Sequence, residues 1–230
     1  MKIVLKIGGS ILYKTNSEIN VELIKEYSQI ITELIDKGHK VAIVMGGGKL
    51  ARSVIKAGKE LGIPYTFQDI IGVEISRIHA LLMIGALGEV AHKIIPRSFD
   101  QLREALSVGK VICTGGLQPA QSTNAVASLI AEIWQADLLI NLSDIAKVCD
   151  KDPKVYPNAK EYDEIPISQL IKLIDNNSES PGSYDLFDKV GAEIIKRSRI
   201  KLIFTDGRKP KNVLEIIKGK NIGTIVTHHS

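Results

Sequence analysis

Val41-Ala42-Ile43-Val44-Met45-Gly46-Gly47-Gly48-Lys49-Leu50-Ala51-Arg52 joins an apolar run to a triple glycine and then to a stretch of good helix formers. It reads as a buried strand, a turn without side chains and a helix N-terminus. Such a turn lets backbone N–H groups approach an anion closely, and the helix dipole favours negative charge there. Arg52 falls one turn into the helix, where its guanidinium can reach back to the same anion as a fixed fork. Two common phosphate folds are excluded at this point. The P-loop needs Ser or Thr after its lysine, and Lys49 is followed by Leu50. The dinucleotide pattern G-x-G-x-x-G is absent at this turn.

The same alternation extends in both directions. Lys2–Ile7 reads as a short buried strand ending at Gly8-Gly9-Ser10. Asn20 caps a helix whose apolar residues Ile24, Tyr27, Ile31, Leu34 and Ile35 recur at helical spacing, and Gly38 ends it. A helix runs from the triple glycine to about Leu61. Gln68–Val90 is mostly helical and apolar on several sides, which implies burial or an interface. A helix from Phe99 to Leu106 leads to a strand over Lys110–Cys113. Thr114-Gly115-Gly116-Leu117-Gln118-Pro119-Ala120-Gln121-Ser122-Thr123 is a second loop of glycine and small polar residues, opening a helix from Asn124 to Gln135. A strand follows over Asp137–Leu142, then a polar stretch from Ser143 to Pro166. Strand Leu202–Phe204, helix Val213–Lys218 and strand Gly223–Val226 complete the chain. Alternating strands and helices imply right-handed crossovers and an α/β fold, a three-layer αβα sandwich with a mostly parallel central sheet. Ligands bind such sheets beyond the carboxyl ends of the strands. Gly8-Gly9, Gly46–Gly48 and Gly115-Gly116 all follow strands, so all three loops belong on that edge.

Composition bounds the function. The chain has 230 residues and 44% hydrophobic content, enough for a sizeable core in one domain or two closely joined lobes. A net charge of +4 without a basic block, and 5% aromatics, argue against a nucleic-acid surface. No segment is expected to reach the ~18 apolar residues of a membrane span and no leader pattern is evident, so no membrane partner and a cytoplasmic location are expected. Cys113 and Cys149 make neither a disulfide framework nor a metal site. The histidines are dispersed, and the terminal Thr-His-His-Ser reads as a loose tail.

Four segments, in order, carry a family resemblance: Leu5-Lys6-Ile7-Gly8-Gly9-Ser10, Gly46-Gly47-Gly48-Lys49-Leu50-Ala51-Arg52, Gln68-Asp69-Ile70-Ile71-Gly72, and Thr114–Pro119 with Gln121-Ser122-Thr123. On these the chain resembles the amino acid kinase superfamily, most closely the archaeal-type UMP kinases, over nearly its whole length. The resemblance implies a single domain over residues 1–230, with 1–136 mainly binding the acceptor and 137–230 mainly binding ATP. It implies transfer of the γ-phosphate of ATP to UMP, with Mg²⁺ carried on the ATP phosphates and no residue assigned as its ligand. Homo-oligomers, commonly hexamers, are implied too.

Site residues follow from the same resemblance. Lys6 is similar to the catalytic lysine that stabilises the transferred phosphoryl group. Gly8, Gly9 and Ser10 would offer N–H groups to the donor phosphates. Gly48 would serve the ATP side and Gly47 the UMP side, with Arg52 on the acceptor phosphate. Asp69 resembles the carboxylate that binds the ribose hydroxyls. Leu117, Gln118, Pro119, Ala120, Gln121, Ser122 and Thr123 would read the uracil and close over its phosphate; Thr123 either caps its helix or binds phosphate. Asp188 matches an aspartate that orients catalytic lysines, or simply caps a helix.

The donor side departs from the family pattern. Where archaeal-type UMP kinases usually read Thr-Asn-Val-Asp-Gly-Val-Tyr, this chain has Ser143-Asp144-Ile145-Ala146-Lys147-Val148-Cys149, then Asp150-Lys151-Asp152-Pro153. Ser143, Asp144, Cys149 and Asp152 are therefore the expected ATP contacts in altered form. Asp144 adds a negative charge near triphosphate, unfavourable unless a cation faces it. Glu193 stands where a lysine is expected, with Lys189 and Lys196 as possible stand-ins. Two alternatives follow: a nucleotide- or oxyanion-binding paralogue with a degenerate ATP site, and a kinase of the same superfamily acting on a carboxylate.

Overall fold

The computed structural model describes residues 1–15, 18–177 and 186–228. The strands are β1 (Lys2–Ile7), β2 (Lys40–Met45), β3 (Ile112–Thr114), β4 (Leu138–Ser143), β5 (Glu164–Pro166), β6 (Lys201–Asp206) and β7 (Thr224–Thr227). The helices are α1 (Val21–Asp36), α2 (Gly48–Glu60), α3 (Tyr65–Leu87), α4 (Phe99–Ser107), α5 (Thr123–Ile133), α6 (Ile167–Asn177), α7 (Lys189–Ser198) and α8 (Lys211–Ile217). All seven strands form one sheet in the order β3-β2-β1-β4-β6-β7-β5. Pairing is parallel except between β6 and β7.

Alternation along the strands divides the interior into two cores. Ile3, Leu5 and Ile7 of β1 join Val41, Ile43 and Met45 of β2 on one face, under α1, α3 and α8. Val4, Ala42, Val44 and Leu139 pack on the other face under α4, α5, α6 and α7. This is the expected three-layer sandwich. Each fully buried Leu or Ile side chain contributes about 1.5–3 kcal/mol relative to exposure. By alternation, Lys6 shares the face of Val4 and lies opposite Asn141 of β4 in register.

Several boundaries differ from the sequence reading. The helix expected from Gln68 begins at Tyr65, following Pro64, which is preset for helix entry. The strand expected over Lys110–Cys113 is Ile112–Thr114, because Val111 pairs only with Ala91 in an isolated bridge. The polar stretch to Pro166 contains β5, a short edge strand whose terminal proline leaves no central ladder bond unmade. The expected loose tail is pinned at His228, whose Nε2 donates to the Ile200 carbonyl at 2.9 Å. His229 and Ser230 of that tail lie outside the described residues.

The expectation of no membrane-length apolar segment also needs correcting. Within Tyr65–Val90 an 18-residue stretch is long and apolar enough to cross a membrane, with a mean hydropathy of 1.7. Half of that stretch is nevertheless buried inside the protein, and the face it buries includes Gln68, Ser76, Arg77 and His79 as well as Ala80, Met83 and Ile84. A helix that turns polar side chains inward is a core helix of an α/β domain.

Candidate functional site

The parallel strands β1, β2, β3 and β4 end on one edge of the sheet, and a cleft of about 630 Å³ opens there. Gly8, Gly9 and Ser10 after β1, Gly46–Gly48 after β2, Gly116 after β3 and Ser143-Asp144 after β4 all line it. The glycines have a reason beyond anion binding. A Cβ on Gly9 would fall 2.2 Å from the Gly46 oxygen and 2.6 Å from the Gly48 nitrogen. A Cβ on Gly48, which has φ +62°, would fall 2.2 Å from the Gly9 carbonyl carbon. The β1 and β2 loops therefore interlock backbone to backbone, which only glycine permits.

Lys6, Arg52 and Asp188 converge on this cleft. Arg52 donates from Nη2 to Ser10 Oγ at 2.8 Å, tying the start of α2 to the β1 loop. Asp188 is the N-cap of α7, accepting from the Gly191 N–H at 2.8 Å. Its second oxygen accepts a short hydrogen bond from Ser122 Oγ. Ser122 in turn caps α5 by accepting from the Ala125 N–H. Ser122 rather than Thr123 thus closes the helix end, and Thr123 lines the cleft at the first helical position.

The loop after β3 is held by α3. Arg77, 8% exposed, donates to the Gly116 carbonyl at 3.1 Å and the Leu117 carbonyl at 2.9 Å, and pairs with Glu74 at 2.6 Å. Ser76 Oγ accepts from the Gly116 N–H at 2.8 Å. Asp69 accepts from the Ala120 N–H at 3.0 Å, stabilising a residue with φ +57°. The expected ribose carboxylate is therefore engaged with the loop through one oxygen. Gln118, Ala120, Gln121, Ser122 and Thr123 face the cleft; Leu117 and Pro119 are not among the residues lining it. Leu117 packs instead against the core.

On the donor side, Ser143, Asp144 and Asp152 line the cleft. Cys149 does not: it is 2% exposed, packs in the core beside Val148, and forms an isolated antiparallel bridge with Glu161. The stand-in lysines are also accounted for. Lys189 pairs with Asp175 at 2.9 Å and Lys196 with Glu193 at 3.6 Å, and neither lines the cleft.

The cation that Asp144 needs is Lys154, which sequence reasoning missed. Its ammonium lies 2.5 Å from Asp144, and both residues line the cleft. Burial pushes the Asp144 carboxyl up, but Lys154, a backbone N–H and Arg208 outweigh it and hold the group below its ordinary value. The one available signal was a lysine directly after Asp152-Pro153. Asn124 and Gln121 also carry buried side-chain oxygens without a hydrogen-bond partner among the described residues, and both line the cleft. Such acceptors await donors from a ligand or water.

Among the described residues no group of three or more His, Cys, Asp and Glu could hold a metal ion. Mg²⁺ binds oxygen, keeps several waters and is commonly held by substrate phosphates with one or two carboxylates. Asp144 and Asp188 in the cleft fit that mode.

The geometry defines a phosphate-handling α/β protein, and comparison with known proteins agrees. The model of the amino acid kinase family matches residues 1–206. The chain belongs to that family. It is 40% identical to a uridylate kinase of Methanobrevibacter smithii over 226 residues, 98% of this chain and 99% of that one. A uridylate kinase of Thermococcus kodakarensis is 38% identical over the same extent. The crystal structure of uridylate kinase from Archaeoglobus fulgidus superposes with a TM-score of 0.85 at 35% identity, covering 99% of this chain and 100% of that one.

Proposed function

We propose that the protein transfers the γ-phosphoryl group of ATP to UMP, yielding ADP and UDP. The observation that carries this reading is the convergence of Lys6, Arg52 and the glycine loops after β1 and β2 on one cleft. Its acceptor wall is built from the loop after β3, in a chain similar end to end to uridylate kinases. Two groups of like charge must meet in line, so catalysis is positioning and neutralisation. Arg52 and the Gly47 N–H hold the acceptor side, and Gly48 serves the ATP side. Gly8, Gly9 and Ser10 hold the donor phosphates, and Lys6 meets the charge that develops between them. Mg²⁺ arriving on ATP would neutralise donor-phosphate charge, and Asp144 and Asp188 are cleft carboxylates that could hold it. The unpartnered oxygens of Gln121 and Asn124 suit N–H and O–H donors of a pyrimidine nucleoside. The acceptor rests mainly on residues 1–136 and the donor on 137–230.

We further assign a cytoplasmic location and a homo-oligomer, with the hexamer implied by family resemblance. Ile78, Leu81 and Leu82 of α3 are 60%, 57% and 41% exposed and join Val21 and Ile24 of α1 in an apolar groove, a face suited to a second copy.

A coupled ADP-release assay across nucleoside monophosphates, beside UMP calorimetry, tests the reading. UMP-dependent ADP release is the expected outcome. UMP binding without UDP would instead indicate a nucleotide-binding paralogue, and ATP consumption with an acid but no UMP binding a carboxylate kinase. Lys6→Ala and Arg52→Ala should each lower kcat by about a hundredfold or more; near-normal turnover in both would sink the assignment.

A further inference from the structure

His79 lies on α3 behind the triple glycine and is 2% exposed. It does not line the cleft. Its Nδ1 is 2.7 Å from the Gly46 carbonyl oxygen, and its Nε2 is 2.8 Å from the Tyr13 hydroxyl. The Tyr13 and His79 rings meet edge to face with centroids 5.6 Å apart.

These contacts determine the tautomer. A carbonyl only accepts, so Nδ1 carries a proton. Burial moves the imidazole below its ordinary pKa, partly offset by the Gly46 hydrogen bond. The ring is therefore neutral at neutral pH, and Nε2 accepts from the Tyr13 O–H. The consequence reaches the cleft through peptide geometry. In a planar trans peptide the N–H points opposite to the preceding C=O. Holding the Gly46 carbonyl toward His79 therefore turns the Gly47 N–H away from His79, and Gly47 lines the cleft. The packing of Gly46 against Gly9 and the Gly46 N–H bond to the Ile7 carbonyl also confine this loop, and His79 supplies the side-chain donor to the Gly46 carbonyl.

We propose that His79, with Tyr13 setting its tautomer, is a positioning residue that fixes the Gly46–Gly47 peptide so that the Gly47 N–H meets the acceptor phosphate. The inference rests on the UMP kinase reading for its substrate, and it concerns the acceptor half only.

The test compares His79→Phe, His79→Asn and Tyr13→Phe in steady-state kinetics, with ¹⁵N NMR of the histidine-labelled wild type. His79→Phe removes the donor and should raise KM for UMP about tenfold, with KM for ATP moving less than about twofold. His79→Asn, whose amide can present an N–H to the same carbonyl, should return KM for UMP to within about threefold of wild type. Tyr13→Phe keeps the ring and deletes the hydroxyl, so it should raise KM for UMP in the same direction even if His79→Phe does not fold. Unchanged UMP kinetics in His79→Phe and Tyr13→Phe would overturn the proposal. So would an Asn variant as impaired as Phe at equal melting temperature. The NMR measurement needs no nucleotide: a protonated Nδ1 with bare Nε2 is expected, and the opposite tautomer or an imidazolium at neutral pH overturns the assignment. A wild type that binds UMP but forms no UDP would instead refute the kinase reading, leaving the tautomer and UMP affinities of the variants to decide the role of His79.

Discussion

Single residues decide whether this cleft can hold and move a phosphoryl group. Gly9 shows why. Its α-carbon approaches the Gly46 oxygen so closely that a methyl group would sit at 2.2 Å. Gly9→Ala must therefore push the β1 and β2 loops apart. We expect turnover to fall by at least about a hundredfold, because displacements of this size misplace reacting groups; steady-state ADP release measures it. Lys154 is the other decisive residue. It faces Asp144 across 2.5 Å and supplies positive charge on the donor side, where neither Lys189 nor Lys196 lines the cleft. Lys154→Met leaves the Asp144 carboxylate unpaired near triphosphate, so KM for ATP should rise about tenfold with KM for UMP little changed. Adding Asp144→Asn to that variant should recover part of the loss. Lys6, Arg52 and the glycines stood out in the sequence because their chemistry is local to a strand end. Lys154 did not, because its partner lies ten positions earlier and only the loop's path brings them together.

Among the elements, α3 does more than fill space. Ser76 and Arg77 fasten the loop after β3, and His79 reaches the loop after β2. One helix thus ties the loop after β2 to the loop after β3. Arg77→Leu would strip donors from the Gly116 and Leu117 carbonyls and leave Glu74 with Arg97. Buried carbonyls left without donors cost about 1–3 kcal/mol in total stability. Chemical denaturation should show that loss, together with weaker UMP binding by calorimetry. The helix was legible as helical and buried from its apolar character. Its polar inward residues were not interpretable, since a buried Arg or His has meaning only through its partners, and these lie 33 and 39 positions away.

For the molecule as a whole, the parallel sheet gathers charge at its carboxyl edge, and stability should respond to acid accordingly. Asp206 ends β6 and pairs with Arg208 at 2.8 Å. Burial pushes its carboxyl up, but the Arg208 side chain and backbone N–H bring it below the ordinary value. The folded state thus binds fewer protons than the unfolded chain, whose aspartate titrates near pH ~4. Its contribution is present above that value and disappears as pH falls through the lower folded pKa. Asp206→Asn should flatten the acid side of a stability-against-pH curve and leave its slope above about pH 6 unchanged; thermal melts across pH check this. The alternation of strands and helices, the three-layer class and the sheet edge at which the cleft opens were determined by the sequence itself. Hydrophobic period, glycine position and right-handed crossovers are local rules that one chain obeys along its length. Tertiary structure alone decided that Cys149 turns into the core, that Lys154 answers Asp144, and that α3 grips the loops after β2 and β3. Each of these is a pairing between segments distant along the chain, and no local periodicity encodes which buried polar group meets which.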